Sequence, residues 1–304
     1  MLIHPEINPV ALQLGPLAIH WYGLTYLAAF GLFFFLATLR LKHQPYASIT
    51  GSGAWSKRDI EDILFLGVMG VVIGGRVGYC LFYKPVYYAS HPLEIFYVWQ
   101  GGMSFHGGLI GVMVAVAWWS RKNKLHVFDT IDFVAPIVPP GLALGRFGNF
   151  INGELWGKFT QADWGVIFPQ SLSGAYANLT PLQLQALHAS GELNQFARHP
   201  TQLYQMLLEG VLLFVFLFWF TRKPRARYAA SGWFALLYGI FRFLMEFLRI
   251  PDAQLGYYAG DWLTMGQILS VPLIVIGLVF LFMSRKSPVL QPMPMIGKDV
   301  EAKK

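Results

Sequence analysis

Seven apolar runs, each near the roughly 20 residues that cross a bilayer as a helix, leave this chain few folds to choose from. They cover residues 17–39, 60–83, 104–120, 130–150, 203–221, 229–249 and 266–284. In hydrocarbon every backbone N–H and C=O needs an internal partner, so runs of this length fold as helices. The expected class is an all-α polytopic membrane protein with seven transmembrane helices. Composition agrees, because 55% of the 304 residues are apolar and only 13% charged.

The formal charge of +7 would suit a nucleic-acid binder, but the cations sit where membrane orientation puts them. Arg40, Lys42, Lys57, Arg58, Arg121, Lys122, Lys124, Arg222, Lys223, Arg225, Arg227, Arg285, Lys286, Lys298, Lys303 and Lys304 flank the spans on one side. Lys84, Lys158, Arg198 and Arg249 alone lie on the other, and Arg76, Arg146 and Arg242 lie within spans. The positive-inside rule then predicts a periplasmic N-terminus and a cytoplasmic C-terminus, with the lipid bilayer rather than nucleic acid as partner. Residues 1–284 read as one transmembrane domain and 285–304 as a polar tail, expected to be disordered. Segment 151–202 is too long for a plain connection and is expected to form a cap or small periplasmic subdomain between the fourth and fifth helices. No Lys or Arg precedes the first apolar run, so that run is expected to stay in the mature protein. A single cysteine, Cys80, excludes an intramolecular disulfide and a cysteine-rich metal site.

Against this background the stretch 145–157, GRFGNFINGELWG, stands out, since it sets Arg146, Asn149, Asn152 and Glu154 among glycines that include Gly157 at the end of an apolar run. A central arginine costs about 2.5–3.5 kcal/mol on insertion scales, so Arg146 needs a partner or a function. Five other spans carry polar residues. Tyr22 and Tyr26 share a helix face near the start of the first, either as an interfacial belt or as lining. Arg76 in the second either snorkels or acts, and His106 opens the third beside paired glycines, either as a satisfied interfacial residue or in chemistry. Glu209 in the fifth is expected to be buried, because a carboxylate facing lipid is unfavourable. In the sixth, Tyr238, Arg242, Glu246 and Arg249 form one stripe, in which Arg242 and Glu246 can neutralise each other as an i,i+4 pair. Asp129 and Asp132 read as a helix start with no further role, and the seventh span, with Gln267 and Pro272, reads as scaffold.

Converted to depth, Tyr22, Tyr26, Arg76, His106, Arg146, Glu209, Tyr238, Arg242 and Glu246, from six different spans, fall in the outer half of the bilayer. An ion or proton path would place ionisable groups at several depths, so a single layer fits an enzyme that takes a lipid from the outer leaflet better than a conduit. Guanidinium forks match phosphate oxygens, so Arg146 and Arg242 suit an anionic head group and a phosphate leaving group. His106 has the ordinary pKa for accepting a proton near neutrality. No carboxylate pair is set for a metal and no G-x-S-x-G nucleophile occurs, which favours displacement by an external nucleophile without a metal or cofactor.

HWYG near the start, HGGLIG at 106–111, GRFGNFINGELWG at 145–157, RHPTQLYQ at 198–205, YGIFRFLMEFLRIPDAQ at 238–254 and MGQILS at 265–270 resemble the prolipoprotein diacylglyceryl transferase family over nearly the whole chain. Segment 43–56, the loop around 158–197 and the tail beyond 284 carry no matching motif. The resemblance implies a bacterial inner-membrane enzyme that moves the diacylglyceryl group of phosphatidylglycerol onto the lipobox cysteine of prolipoprotein signal peptides, with a site facing the periplasmic leaflet. It implies that Arg146 binds phosphatidylglycerol and that Arg242 is a second essential arginine. Tyr22, His106, Asn149, Glu154, Gly157, Tyr238, Glu246 and Arg249 take supporting positions by the same match. The bottom-up lining set adds Tyr26 and Asn152, and the catalytic set is Arg146, Arg242 and His106. A different phospholipid head-group enzyme would share the arginine layer, and a transporter would move substrate without covalent product.

Overall fold

The computed structural model describes residues 1–5, 7–15, 17–42, 55–177, 179–251, 256–258, 260 and 262–290. Two short sheets enter the mainly helical fold, a departure from the all-α expectation. β1 (Leu2–Ile3) pairs in parallel with Val166–Ile167, while β2 (Val10–Leu14) and β3 (Leu17–His20) form an antiparallel hairpin. Such short strands leave almost no periodic signal in a sequence.

The helices are α1 (Trp21–Lys42), α2 (Lys57–Phe82), α3 (Pro85–Ser90), α4 (Phe105–Lys122), α5 (Val127–Val134) and α6 (Pro139–Ile151). After β4 (Val166–Ile167) come α7 (Pro181–Ala189), α8 (Thr201–Gln205), a π-helical segment Met206–Leu212 and α9 (Leu213–Phe220). α10 (Ala229–Met245) and α11 (Met265–Ser284) complete the order. Every apolar run of the sequence therefore meets a helix. Four described helices, Trp21–Leu41, Lys57–Phe82, Thr201–Phe220 and Met265–Ser284, are long and apolar enough to span a membrane by themselves. A broken pair, Val127–Ile137 with Pro139–Ile151, adds a fifth if counted as one, and α10 is a shorter apolar helix. The break falls where Pro139 and Pro140 open α6 without donating backbone hydrogen bonds. Large apolar side chains such as Phe35, Phe65, Trp219 and Phe282 are exposed, as a polytopic membrane protein requires. The expected tail lies largely outside the described residues.

Helix starts are chemically specified. Ser56 and Asp59 form a capping box on α2, Thr180 and Gln183 form another on α7, and Ser104 accepts from Gly107 N at the start of α4. Thr264 and Gln267 repeat the reciprocal pattern before α11, with Thr264 N donating to Gln267 Oε1 at 2.9 Å and Gln267 N to Thr264 Oγ1 at 3.3 Å.

The chain forms two compact units: described residues of Met1–Leu32, Pro136–Phe220 and Gly232–Met283 make the first, and those of Phe33–Ala135, Thr221–Ser231 and from Ser284 onward make the second. In the first, the segment after α6 folds over its own core of Ile167, Leu184, Leu193 and Ala197, against which Met1, Ile3 and Phe196 pack. His4 is buried there between Phe150 and Phe168, and its Nε2 lies 2.7 Å from Phe150 O. Burial pushes its imidazole below the ordinary histidine pKa.

In the second unit α2 and α4 meet backbone to backbone. A Cβ at Gly70 would lie 2.7 Å from Gly111 C and O, and one at Gly78 would lie 2.7 Å from Gly107 Cα. Gly70, Gly74 and Gly78 thus form a small-residue seam of the kind that lets membrane helices approach closely. Gly78→Val is expected to cost about 1–3 kcal/mol through overpacking, read as a lower melting temperature and reduced yield of folded protein in detergent.

Two sequence readings change here. Arg76 does not snorkel: it is buried, and its guanidinium donates to the carbonyls of Ile95 at 2.9 Å, Glu94 at 2.6 Å, Gly101 at 2.5 Å and Gly102 at 3.3 Å while lying over the Tyr88 ring. Asp129 and Asp132 do more than start a helix. Asp129 holds Arg227 bidentately at 2.5 and 2.9 Å, and Asp132 accepts from Tyr228 N at 2.6 Å and Ser231 N at 2.8 Å, fixing the turn into α10. Their partners lie some hundred residues away in the chain, beyond any local pattern.

Candidate active site

The first unit gathers most of the predicted polar residues. α6 carries Arg146 and Asn149 on successive turns, and its C-terminal turn delivers Asn152 and Glu154. Gly153 has φ +63°, a left-handed backbone that glycine adopts without strain, and Leu155 also has positive φ. This reversal folds Glu154 back: its Oε1 accepts from Asn149 Nδ2 at 2.9 Å and Asn152 Nδ2 at 3.3 Å, and its carbonyl accepts from Gln202 Nε2 at 2.5 Å. The glycine-rich stretch is thus a tied polar corner between α6 and α8.

Gly157 sits where strands of loop converge. Its N–H donates to His199 O at 2.8 Å, and a Cβ there would lie 2.6 Å from Leu248 O and 2.7 Å from Thr201 Cγ2. Only glycine permits that approach.

Arg146 lies across from Glu209, with Nη2 3.6 Å from Oε2. Glu209 is fully buried, as its charge required, and electrostatic contacts also reach it from Arg242 and Arg249. Tyr238 interacts with Arg146, Arg242 and Glu209. Tyr22 and Tyr26 join hydroxyl to hydroxyl at 3.1 Å, remain partly exposed, and Tyr22 feels both Glu154 and Arg146. Gly148 makes room for this face of α1, because a Cβ there would lie 3.1 Å from the Tyr22 ring.

The stripe on the sixth run is an ion-pair chain. Arg242 Nη2 is 2.6 Å from Glu246 Oε1, and Arg249 Nη1 is 3.9 Å from the same oxygen. The i,i+4 neutralisation that spacing allowed is therefore present. Arg242 nevertheless keeps Nη1 buried with no acceptor among the described residues, an unsatisfied strong donor. Sequence reasoning missed Thr264, whose hydroxyl donates to Glu246 Oε2 at 2.7 Å, and Gly266, where a Cβ would lie 2.7 Å from both carboxylate oxygens. The T-x-x-Q capping pattern before the last run was the available signal. Its scaffold helix thus also supports the site.

His106 belongs to the second unit. It is exposed in the first turn of α4, edge-on to Phe105, two residues from the Ser104 cap.

Chemically, the first-unit cluster offers three arginines among three carboxylates, two partly exposed tyrosines, and a buried, unpartnered guanidinium donor of the kind that suits an anion. Helical spans around such a charged cluster define a polytopic membrane protein. The chain belongs to the prolipoprotein diacylglyceryl transferase family, whose model matches residues 9–283. It is 62% identical over 280 residues, 91% of this chain and 95% of the relative, to the phosphatidylglycerol–prolipoprotein diacylglyceryl transferase of Polaromonas naphthalenivorans (strain CJ2). Identity is 56% over the full length of both chains to the protein of that name from Xanthomonas axonopodis pv. citri (strain 306), and 57% to that from Xanthomonas euvesicatoria pv. vesicatoria (strain 85-10).

Proposed function

We propose that this chain transfers the diacylglyceryl group of phosphatidylglycerol to the thiol of a prolipoprotein lipobox cysteine. A C–S bond forms at the glyceryl carbon, the C–O bond to phosphate breaks, and glycerol 1-phosphate leaves while the thiol gives up its proton. The observation that carries this reading is near-full-length identity of 56–62% to proteins named for that reaction. The cluster supplies the chemistry it needs.

In this reading Arg146 and Arg242 bind the lipid phosphate and stabilise it as a leaving group, the open Nη1 of Arg242 supplying one donor. Tyr22, Tyr26, Asn149, Asn152, Glu154, Gly157, Tyr238, Glu246 and Arg249 line or support the lipid site. A free thiol attacks as thiolate, so the positive field of the arginines and His106 as proton acceptor lower the barrier to its ionisation. The reaction needs no cofactor or metal. The protein spans the bacterial inner membrane seven times as one catalytic domain over 1–284, N-terminus periplasmic and C-terminus cytoplasmic, with 151–202 as a periplasmic cap and the site opening to the outer leaflet. The charge asymmetry of the loops supports that orientation.

Purified protein with phosphatidylglycerol vesicles and a lipobox peptide is expected to add one diacylglyceryl mass to the peptide. Replacing the peptide's cysteine with serine, or the lipid with phosphatidylcholine, is expected to abolish the gain. A mass gain on the serine peptide would overturn the thioether reading.

A further inference from the structure

Three carboxylates stand in the cluster, and two of them are spoken for. Glu154 accepts from Asn149 and Asn152, and Glu246 accepts from Thr264 and pairs with Arg242 at 2.6 Å. Glu209 differs. It is fully buried, yet neither of its oxygens has a hydrogen-bond donor among the described residues. Its pair with Arg146 is 3.6 Å long, well beyond the roughly 2.7–2.9 Å of a charge-assisted hydrogen bond. A loose pair of this kind holds an arginine in place without saturating its donors.

The backbone is shaped to present it. Glu209 lies in the π-helical segment Met206–Leu212, an interruption of an otherwise regular helix that costs hydrogen-bond geometry and occurs often at functional sites. The next residue, Gly210, has no side chain, and a Cβ there would lie 2.8 Å from Ala143 Cα, one turn before Arg146 on α6. Close contact of the two helices at Gly210 and Ala143 therefore fixes the Glu209 carboxylate opposite the Arg146 guanidinium. Arg242 and Arg249 add their fields at the same point.

We propose that Glu209 is an exchangeable counter-ion and positioning residue for Arg146: it aims the guanidinium in the empty site and competes for it with the phosphate of the lipid and of glycerol 1-phosphate. The inference rests on the reading that Arg146 binds phosphate. Competition of this kind keeps product affinity low, so glycerol 1-phosphate leaves after each turnover.

Glu209→Gln keeps size and removes the competing charge. In the peptide assay with purified protein it is expected to lower both the inhibition constant of glycerol 1-phosphate and the KM for phosphatidylglycerol roughly tenfold. That is about 1.4 kcal/mol, within reach of one unit charge several ångströms away at an effective dielectric constant near 20. kcat is expected to fall as product release slows. Unchanged or weaker phosphate affinity in folded Glu209→Gln would overturn the proposal. If that variant does not fold, Glu209→Asp decides: its charge stands farther from Arg146, a roughly two- to threefold lower inhibition constant is expected, and no change overturns the proposal. A wild-type protein that performs no diacylglyceryl transfer would overturn the underlying reading of function instead.

Discussion

Arg146→Lys is expected to lower kcat/KM for diacylglyceryl transfer about a hundredfold, and Arg146→Ala about a thousandfold or more. A transition-state donor in a site shielded from water contributes roughly two to three orders of magnitude, and lysine keeps the charge but loses the planar fork that matches two phosphate oxygens in the proposed role. Lysine also leaves a cation facing buried Glu209, so its melting temperature should stay close to wild type. The loss then falls on phosphate recognition rather than on folding. Initial rates against phosphatidylglycerol concentration, paired with a thermal melt, check this. Wild-type rates in Arg146→Lys would remove the fork from the mechanism.

Arg242→Gln is expected to cost both activity and stability. It removes the 2.6 Å partner of Glu246 and leaves that buried carboxylate with Thr264 and a distant Arg249 at 3.9 Å. Breaking a buried pair by removing one partner costs about 3–5 kcal/mol, because the remaining charge is uncompensated. Adding Glu246→Gln should restore much of the melting temperature, since the orphan charge is gone, while activity stays at least about a hundredfold down. The double variant thus separates the structural from the chemical part of one arginine. Equal recovery of rate and stability would reduce Arg242 to a structural residue.

The helices were legible because 20-residue apolar runs admit little else, and the Arg242–Glu246 contact was legible because four residues bring two side chains onto one helix face. The buried state of Glu209 followed from the cost of exposing a carboxylate to lipid. What escaped was created by tertiary contact. Met206–Leu212 reads locally as ordinary helix, and its π geometry occurs where Gly210 seats against Ala143. Arg76 finds backbone carbonyls, which carry no residue signature. Asp132 caps backbone amides of Tyr228 and Ser231 far along the chain, and Thr264 reaches Glu246 from a helix that looked inert. The short strands β1 and β4 pair across more than 160 residues, with too few residues each to show alternation.

The central claim is direct displacement: the arginines hold a phosphate that leaves only when an external thiol attacks, and no residue of the chain takes the diacylglyceryl group first. The measurement that tests it follows glycerol 1-phosphate release from phosphatidylglycerol vesicles with and without the lipobox peptide, over the first turnover and at steady state. One glycerol 1-phosphate per modified peptide, and none without the peptide, is the predicted result. A burst of glycerol 1-phosphate in the absence of peptide would contradict it, because the diacylglyceryl group would then have passed to the enzyme or to water before any thiol arrived.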